Sequence, residues 1–432
     1  MGDISDYIRV SINRFRAVES ADISLNGITV LAGTNGTGKS TISQLAYRII
    51  KYANDYEKLA IQETAFHLEK YSDILHSFLF ALDSASRNES FYYDTMAKLN
   101  IDTISDLDVY ELTVDSLCAR FVEYYNSNNG NAIESDPRIT RLFRMMIRTM
   151  DLSVDTTLDD ALQIMKERIH QRIEIGRKKI RERPSQVLNN RLRDAFKESV
   201  NDKVSVYEYG DILFGQNTPF VPLPHFIHEV FYINTPFCLG NYGNDIWEDL
   251  NLALTSDNSN QLDLRLSHYI SDDIIQGDIR YDATDHAPKF LFIDKMGRET
   301  DIENCATGIK SFAIIQILLK NGYVNRDTLL ILDEPEAHLH PQWVVEYARL
   351  IVLMHKSLGV NFLISSHSTD MVSALRYISE AEGCLDSLGF YCAVDKSNGR
   401  EGYYFEDIGT DIEMIFSSFN KSFDKLNHYA HP

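Results

Sequence analysis

The sequence predicts an α/β fold interrupted by a large helical insertion, and three observations carry that prediction. Short apolar runs at 27–32, 328–332 and 359–364 offer water almost no polar face, which is how strands covered by helices on both sides read. Helical apolar spacing follows the first run and accompanies the other two. From 55 to 203, apolar residues recur at three- and four-residue intervals with few β-rich stretches. The expected division is therefore 1–54, 55–203 and 204–432, within the about two to three units that 432 residues suggest.

Taken in order, Tyr7 to Ile12 alternates apolar and polar residues as a half-buried strand does. The run at 27–32 then feeds a glycine-rich loop and a helix whose buried stripe is Ile42, Leu45, Ala46, Ile49 and Ile50. Strand signals return near 226–234, and a hairpin is expected with arms at 277–281 and 289–293, followed by a turn at Met296-Gly297. A helix over 310–319 should stop at Asn321-Gly322. Next come a buried strand at 328–332, a helix over 343–358 and a second buried strand at 359–364. Segments 389–394 and 402–405 should pair around Asn398-Gly399, and 411–429 reads as an amphipathic helix.

Composition removes whole classes of function. Lys and Arg number 42 against 63 Asp and Glu, a formal charge of −21. Such a balance excludes a surface built throughout to coat nucleic acid, although a local basic patch remains open. The five cysteines (Cys118, Cys238, Cys305, Cys384, Cys392) never form a CxxC pair, which excludes a zinc ribbon or disulfide framework and suits a reducing, cytoplasmic setting. The acidic first ten residues lack a signal-peptide core, and no apolar run is long enough for a membrane span, so no membrane partner is expected.

The chemistry concentrates in four segments. Gly33-Thr34-Asn35-Gly36-Thr37-Gly38-Lys39-Ser40-Thr41 satisfies GxxxxGK[ST] in full, after a strand and before a helix. Its glycines let main-chain N–H groups turn inward around a phosphate chain, Lys39 reaches the outer phosphates, and Ser40 ligates Mg2+. Asp333-Glu334 ends a buried strand, so Asp333 is the candidate to hold Mg2+ through water. Glu334, pointing to the other side of the strand, is the candidate general base. His367 ends the next buried strand, where an imidazole can donate to a γ-phosphate. Thr307 and Gly308 open a helix whose free N–H groups could grip an anion, with Thr307 as its cap; taken alone, that segment is simply a good helix start.

These segments in this order resemble the ATP-binding-cassette class of P-loop NTPases. Gly33 to Thr41 resembles Walker A, Ala306 to Lys310 a divergent signature motif, and Leu330 to Glu334 Walker B. Glu336-Ala337-His338-Leu339-His340-Pro341 resembles the D-loop, and His367 the switch histidine. Phrases such as ATGIKSF, LLILDEPEAHLHPQW and ISSHS are similar to OLD-like and SMC-like ATPases of bacterial phage defence, including the ATPase subunits of Septu (PtuA) and PARIS (AriA) systems. The resemblance covers the first fifty and last two hundred or so residues and leaves the helical middle unmatched.

The resemblance implies an ABC-type mixed sheet with flanking helices, ATP and Mg2+ as cofactors, and slow hydrolysis. Lys39, Glu334 and His367 would be catalytic. Nucleotide would be bound by Asn35, Gly36, Thr37, Gly38, Lys39, Ser40 and Thr41 of one copy with Thr307 and Gly308 of another, and metal by Ser40 and Asp333. It implies a homodimer or higher homo-oligomer through shared ATP, and regulation of a separate effector, such as a nuclease, in anti-phage defence. A DNA-maintenance ATPase of SMC type and a transporter ATPase subunit are the alternatives.

Several features depart from the pattern or stand outside it. Thr307 replaces the usual serine, and only Gln216 and Asn234 offer themselves for the glutamine loop. The stretch after His367 is short for the nuclease domain that OLD enzymes append, so none is expected within it. His338 and His340 lack a third metal ligand nearby. The basic stretch 166–197 reads either as a solvated face balanced by Glu167, Glu174, Glu182 and Asp194, or as a surface for DNA, RNA or an acidic partner. It lacks the aromatic interleaving that single strands require.

Overall fold

The computed structural model describes residues 8–86, 89–127, 137–153, 155–234, 247–256, 264–283, 289–396 and 402–419. The chain forms two compact units, one of 1–54, 192–218 and 222–432, the other of 55–191 with 219–221. The return to the larger unit falls inside the Ser185–Phe196 helix rather than at 203. Phe196 belongs there because its ring meets that of Phe15 edge-on at 5.6 Å.

Thirteen strands are described: β1 (Ile8–Phe15), β2 (Val18–Leu25), β3 (Ile28–Ala32), β4 (Val204–Glu208), β5 (Asp211–Phe214), β6 (Glu229–Ile233), β7 (Gly277–Asp282), β8 (Lys289–Asp294), β9 (Glu299–Asp301), β10 (Thr328–Asp333), β11 (Asn361–Ser366), β12 (Leu388–Val394) and β13 (Tyr403–Gly409). Ten of them make one mixed sheet in the order β5-β4-β1-β2-β13-β12-β3-β11-β10-β6. Its β12-β3-β11-β10-β6 portion is parallel throughout, while β4-β1-β2 pairs antiparallel. This is the fold of an ABC-type P-loop NTPase, a mixed sheet with flanking helices.

Every residue of β3, β10 and β11 is buried, which is why those segments read as unbroken apolar runs. The helix Lys39–Asn54 covers β6, β10 and β11 with Ile42, Leu45, Ala46, Ile49 and Ile50. Asn361 joins the amino ends of neighbouring segments: its carbonyl accepts from Gly27 N–H at 3.2 Å, and its amide donates to the Arg326 carbonyl at 3.1 Å. The parallel register places Ala32 opposite Ser366, and Ser365 opposite Asp333. Three strands thus end in one row, and the loops that follow them meet above the sheet.

A separate three-stranded sheet, β7-β8-β9, contains the expected hairpin. Gly297, at φ +77°, turns the chain from β8 into β9. The Asn398-Gly399 turn lies outside the described residues, as does the final helix beyond its Glu413–Phe419 turn.

The second unit packs the helices Tyr56–Ser86, Leu107–Ser127 and Leu158–Glu182 around Phe78, Phe121, Tyr110, Met165 and Ile169. Phe78 and Phe121 stack with ring centroids 4.3 Å apart. Several of its basic residues are engaged within the unit. Lys166 pairs with Asp115, Lys179 with Glu63, and Arg177 with Asp108, Glu111 and Glu174. Arg168 donates to the Met150 carbonyl, and Arg183 lies 4.5 Å over the Tyr56 ring. No helix among the described residues is long and apolar enough to cross a membrane.

Candidate functional site

The row of strand ends carries the sequence-predicted residues together. After β3 the loop exposes Thr34, Asn35 and Gly36 and buries Thr37 and Lys39. Gly36 at φ +82° and Gly38 at φ +102° take a backbone shape that side chains resist. A Cβ on Gly38 would also press within 2.6 Å of Val18. The Thr37 hydroxyl donates to the Thr34 carbonyl at 3.0 Å and braces the loop.

Lys39 is 4% exposed, and its ammonium donates to the carbonyls of Gly33 at 2.8 Å and Thr34 at 3.0 Å. Burial pushes its pKa below the usual lysine range, and the negative charges of Glu334, Asp333 and Glu336 partly restore it. These carbonyls hold the cation where a phosphate oxygen would replace them.

At the end of β10, the Asp333 carboxylate accepts from the Ser40 hydroxyl at 3.0 Å through Oδ1 and from the Tyr232 hydroxyl at 2.5 Å through Oδ2. Burial raises its pKa, and the hydrogen bonds from Tyr232 and Ser40 oppose that rise. Burial, with the Asp333 charge behind it, pushes the Tyr232 phenol far above the usual tyrosine range. Ser40, in the first turn of the Lys39–Asn54 helix, and Asp333, at the end of β10, are hard oxygen donors already within hydrogen-bond distance. That donor set fits Mg2+.

Glu334 leaves the strand in a left-handed conformation, φ +52°, with its N–H donating to the Ser365 carbonyl at 2.9 Å. Simple strand alternation therefore does not set its direction. Its carboxylate lies 3.4 Å from His367 Nδ1, and Glu336 lies 3.6 Å from the same nitrogen. Glu336, with a side chain 5% exposed, accepts from the Ser366 hydroxyl at 2.8 Å and the His367 N–H at 2.9 Å.

Thr307 is the first residue of the Thr307–Lys320 helix rather than its cap. Ala306 occupies the cap position without a side-chain hydrogen bond, and the Thr307 hydroxyl donates to the His338 carbonyl at 3.4 Å. Gly308 lies against Trp343, whose ring would sit 2.5 Å from a Cβ there. Phe312 continues the contact, edge-on to Trp343 and Tyr347. The signature-like helix is thereby packed on the Pro341–Leu358 helix that follows the D-loop-like segment.

His340 has a structural explanation: its Nδ1 caps the Pro341–Leu358 helix by accepting from Gln342 N–H at 3.4 Å. No cluster of three metal-binding side chains occurs among the described residues. Gln216 follows β5, at the sheet edge opposite β6, so topology removes it from the strand-end row. Asn234 follows β6, beside β10. Tyr232 is not among the sequence-predicted site residues, and Glu336 reads only as the start of the D-loop-like segment; the signals were a tyrosine next to a strand's end and a second acid two residues beyond Glu334.

A protein family described as "AAA domain, putative AbiEii toxin, Type IV TA system" matches residues 130–373, more than half of the chain. The chain belongs to this family. The match on this AAA-domain protein takes in Thr307, Asp333, Glu334 and His367, and the phosphate-binding loop precedes it. The Old nuclease of Escherichia phage P2 is 29% identical over 116 residues, covering 26% of this chain and 20% of that protein. The energy-coupling factor transporter ATP-binding protein EcfA2 of Clostridium perfringens is 39% identical over 57 residues, covering 13% and 20%. The AAA-domain chain thus spans about a fifth of each of these relatives. Among solved structures, an Smc head domain with an extended coiled coil, bound to the C-terminal domain of ScpA from Pyrococcus furiosus, is similar with a TM-score of 0.33 at 11% identity. That similarity covers 98% of this chain and 99% of that one. An SmcHead bound to the C-winged helix domain of ScpA has a TM-score of 0.38 at 10% identity, covering 94% and 99%.

Proposed function

We propose that this protein is an ATPase whose ATP-bound form joins two or more copies, and that it governs a separate effector, a nuclease foremost, in cytoplasmic anti-phage defence. The observation carrying the reading is the convergence of Lys39, Ser40, Asp333, Glu334 and His367 on one row of strand ends. Asn35, Gly36, Thr37, Gly38, Lys39, Ser40 and Thr41 cradle the triphosphate, with Ser40 and Asp333 holding Mg2+. Bound Mg2+ supplies neutralising charge for the phosphates.

Lys39 gives its proton-rich end to the outer phosphates. Glu334 accepts a hydrogen bond from the attacking water and draws off its proton, and His367 donates to the γ-phosphate. The phosphate loop covers one side of the nucleotide, and the Thr307–Lys320 helix of a second copy, through Thr307 and Gly308, covers the other. ATP and ADP then differ in their grip on the closed pair, and a few kcal/mol of difference moves the equilibrium from open to closed.

Similarity to the Old nuclease of phage P2, and membership of a family described as "AAA domain, putative AbiEii toxin, Type IV TA system", support a defence setting. The resemblance to PtuA and AriA supports a partner effector. Because several bases of 166–197 are engaged internally, a nucleic-acid role for that stretch draws less support.

Light scattering with and without ATP tests the reading. Wild type should shift from a smaller to a larger species with ATP and return as ATP is consumed. Glu334→Gln should stay in the larger species, with turnover at least about 100-fold lower, the usual scale of general-base loss. Equal turnover by the two proteins would overturn the assignment.

A further inference from the structure

Tyr232, Ile331 and Asp333 share one face of the sheet. Tyr232 sits directly opposite Ile331 in the parallel β6–β10 register, and Asp333 lies two residues beyond Ile331. That face is covered by the Lys39–Asn54 helix, on which Ser40, Gln44 and Tyr47 follow one another at four- and three-residue spacing. Gln44 lies beside the Tyr232 phenol, and the Tyr47 ring lies 5.9 Å from the Tyr232 ring. Tyr232 is 2% exposed and so held from three sides. Its single O–H proton is spent on Asp333 Oδ2 at 2.5 Å, while Ser40 engages Oδ1 at 3.0 Å.

We infer that Tyr232 is a positioning residue for the divalent cation, and that it sets which cation the site prefers. The inference rests on the nucleotide reading above. A carboxylate fastened at Oδ2 offers only Oδ1, the oxygen it shares with Ser40, to a metal or its water, and cannot swing to chelate through both. Single-oxygen contact suits Mg2+, which keeps much of its water and demands octahedral order. Ca2+ tolerates two-oxygen carboxylate binding and irregular shells, so it gains less from a pinned Asp333. Removing the phenol oxygen frees Oδ2, which weakens Mg2+ and leaves Ca2+ equal or better. Outer partners of metal ligands commonly alter metal affinity by about 10- to 100-fold.

The test is Tyr232→Phe, which keeps the ring against Tyr47. Titration calorimetry with AMP-PNP, first in EDTA and then with added Mg2+ or Ca2+, reads nucleotide and metal separately. Displacement of Mn2+ followed by electron paramagnetic resonance gives the metal affinities independently of turnover. The expected result is unchanged AMP-PNP affinity in EDTA, Mg2+ affinity about 10-fold weaker, and a Mg2+-to-Ca2+ preference reduced by at least that factor. Unchanged metal affinities, or equal losses for both cations, would overturn the inference while leaving nucleotide binding intact. Failure of the wild-type protein to bind AMP-PNP at all would remove the nucleotide reading, and this inference with it.

Discussion

Glu336 accepts the main-chain N–H of His367 at 2.9 Å, tying the end of β11 to the loop that follows β10. The same oxygen takes the Ser366 hydroxyl at 2.8 Å, and its companion Oε2 is buried without a partner. A buried carboxylate with these donors fixes where the histidine begins.

Glu336→Ala leaves those donors unsatisfied and should cost about 1.5–3 kcal/mol in denaturant unfolding, the range for hydrogen bonds to charged groups. Because His367 loses its anchor, kcat should fall about 10-fold or more while AMP-PNP affinity holds. Glu336→Gln keeps an acceptor oxygen and should recover much of both. Wild-type kinetics in the alanine variant would contradict the anchoring role.

Lys39→Ala should retain the fold and lose nucleotide. A charge-assisted contact to phosphate contributes about 3 kcal/mol, on the order of 100-fold in Kd. Calorimetry with AMP-PNP reads the loss directly, and undiminished affinity would exclude Lys39 from the site.

Gly308→Ala drives a methyl into the Trp343 ring, so the signature-like helix must shift or the indole must move. Overpacking of this kind costs about 1–3 kcal/mol. The double variant with Trp343→Phe should restore most of it, and a double-mutant cycle measures the coupling. Additive effects would show that the two side chains do not share the strain.

Burial pushes the Cys118 thiol up to about 12. An unfolded thiol ionises near ~8.5, so above that pH the unfolded chain sheds a proton that the folded one keeps. The stabilisation from this group is therefore whole below about pH 8.5 and drains away as pH climbs toward 12. At pH 8, iodoacetamide should leave Cys118 unmodified in folded protein and label it after denaturation, as peptide mass spectrometry will read. Cys118→Ala should flatten the alkaline fall in stability.

Much of the larger unit was legible because burial writes itself into composition. β3, β10 and β11 have both faces covered, so they admit almost nothing polar. The phosphate loop was legible for a different reason: its backbone shape demands glycine at 36 and 38. β2 escaped notice because the adjacent polar pair Glu19-Ser20 breaks an alternation that resumes only over 21–25, and the strand is sustained by pairing with β1 and β13. β4 and β5 are short; β4 gains its order from β1, and β5 from β4. Thr307 missed the cap by one residue, since a capping hydroxyl and a first-turn hydroxyl look alike in a chain. Tyr232 carried no signal beyond its place near a strand's end. Its importance comes from Asp333, 101 residues away, and only strand pairing brings the two together.

The central place of β3 has a consequence for biosynthesis. Its hydrogen-bonded neighbours are β11 and β12, and the helix behind it joins β11 through Ser43 and Ser365, 322 residues apart. A ribosome adding roughly 5–20 residues per second needs on the order of half a minute between making the first partner and the second. Throughout that interval an apolar strand with two unsatisfied edges waits beside a helix with no floor. The helical unit, whose contacts are near in the chain, can fold meanwhile. Newborn molecules should therefore lean on chaperones, and slowing elongation late in the message should cost more soluble protein than slowing it early.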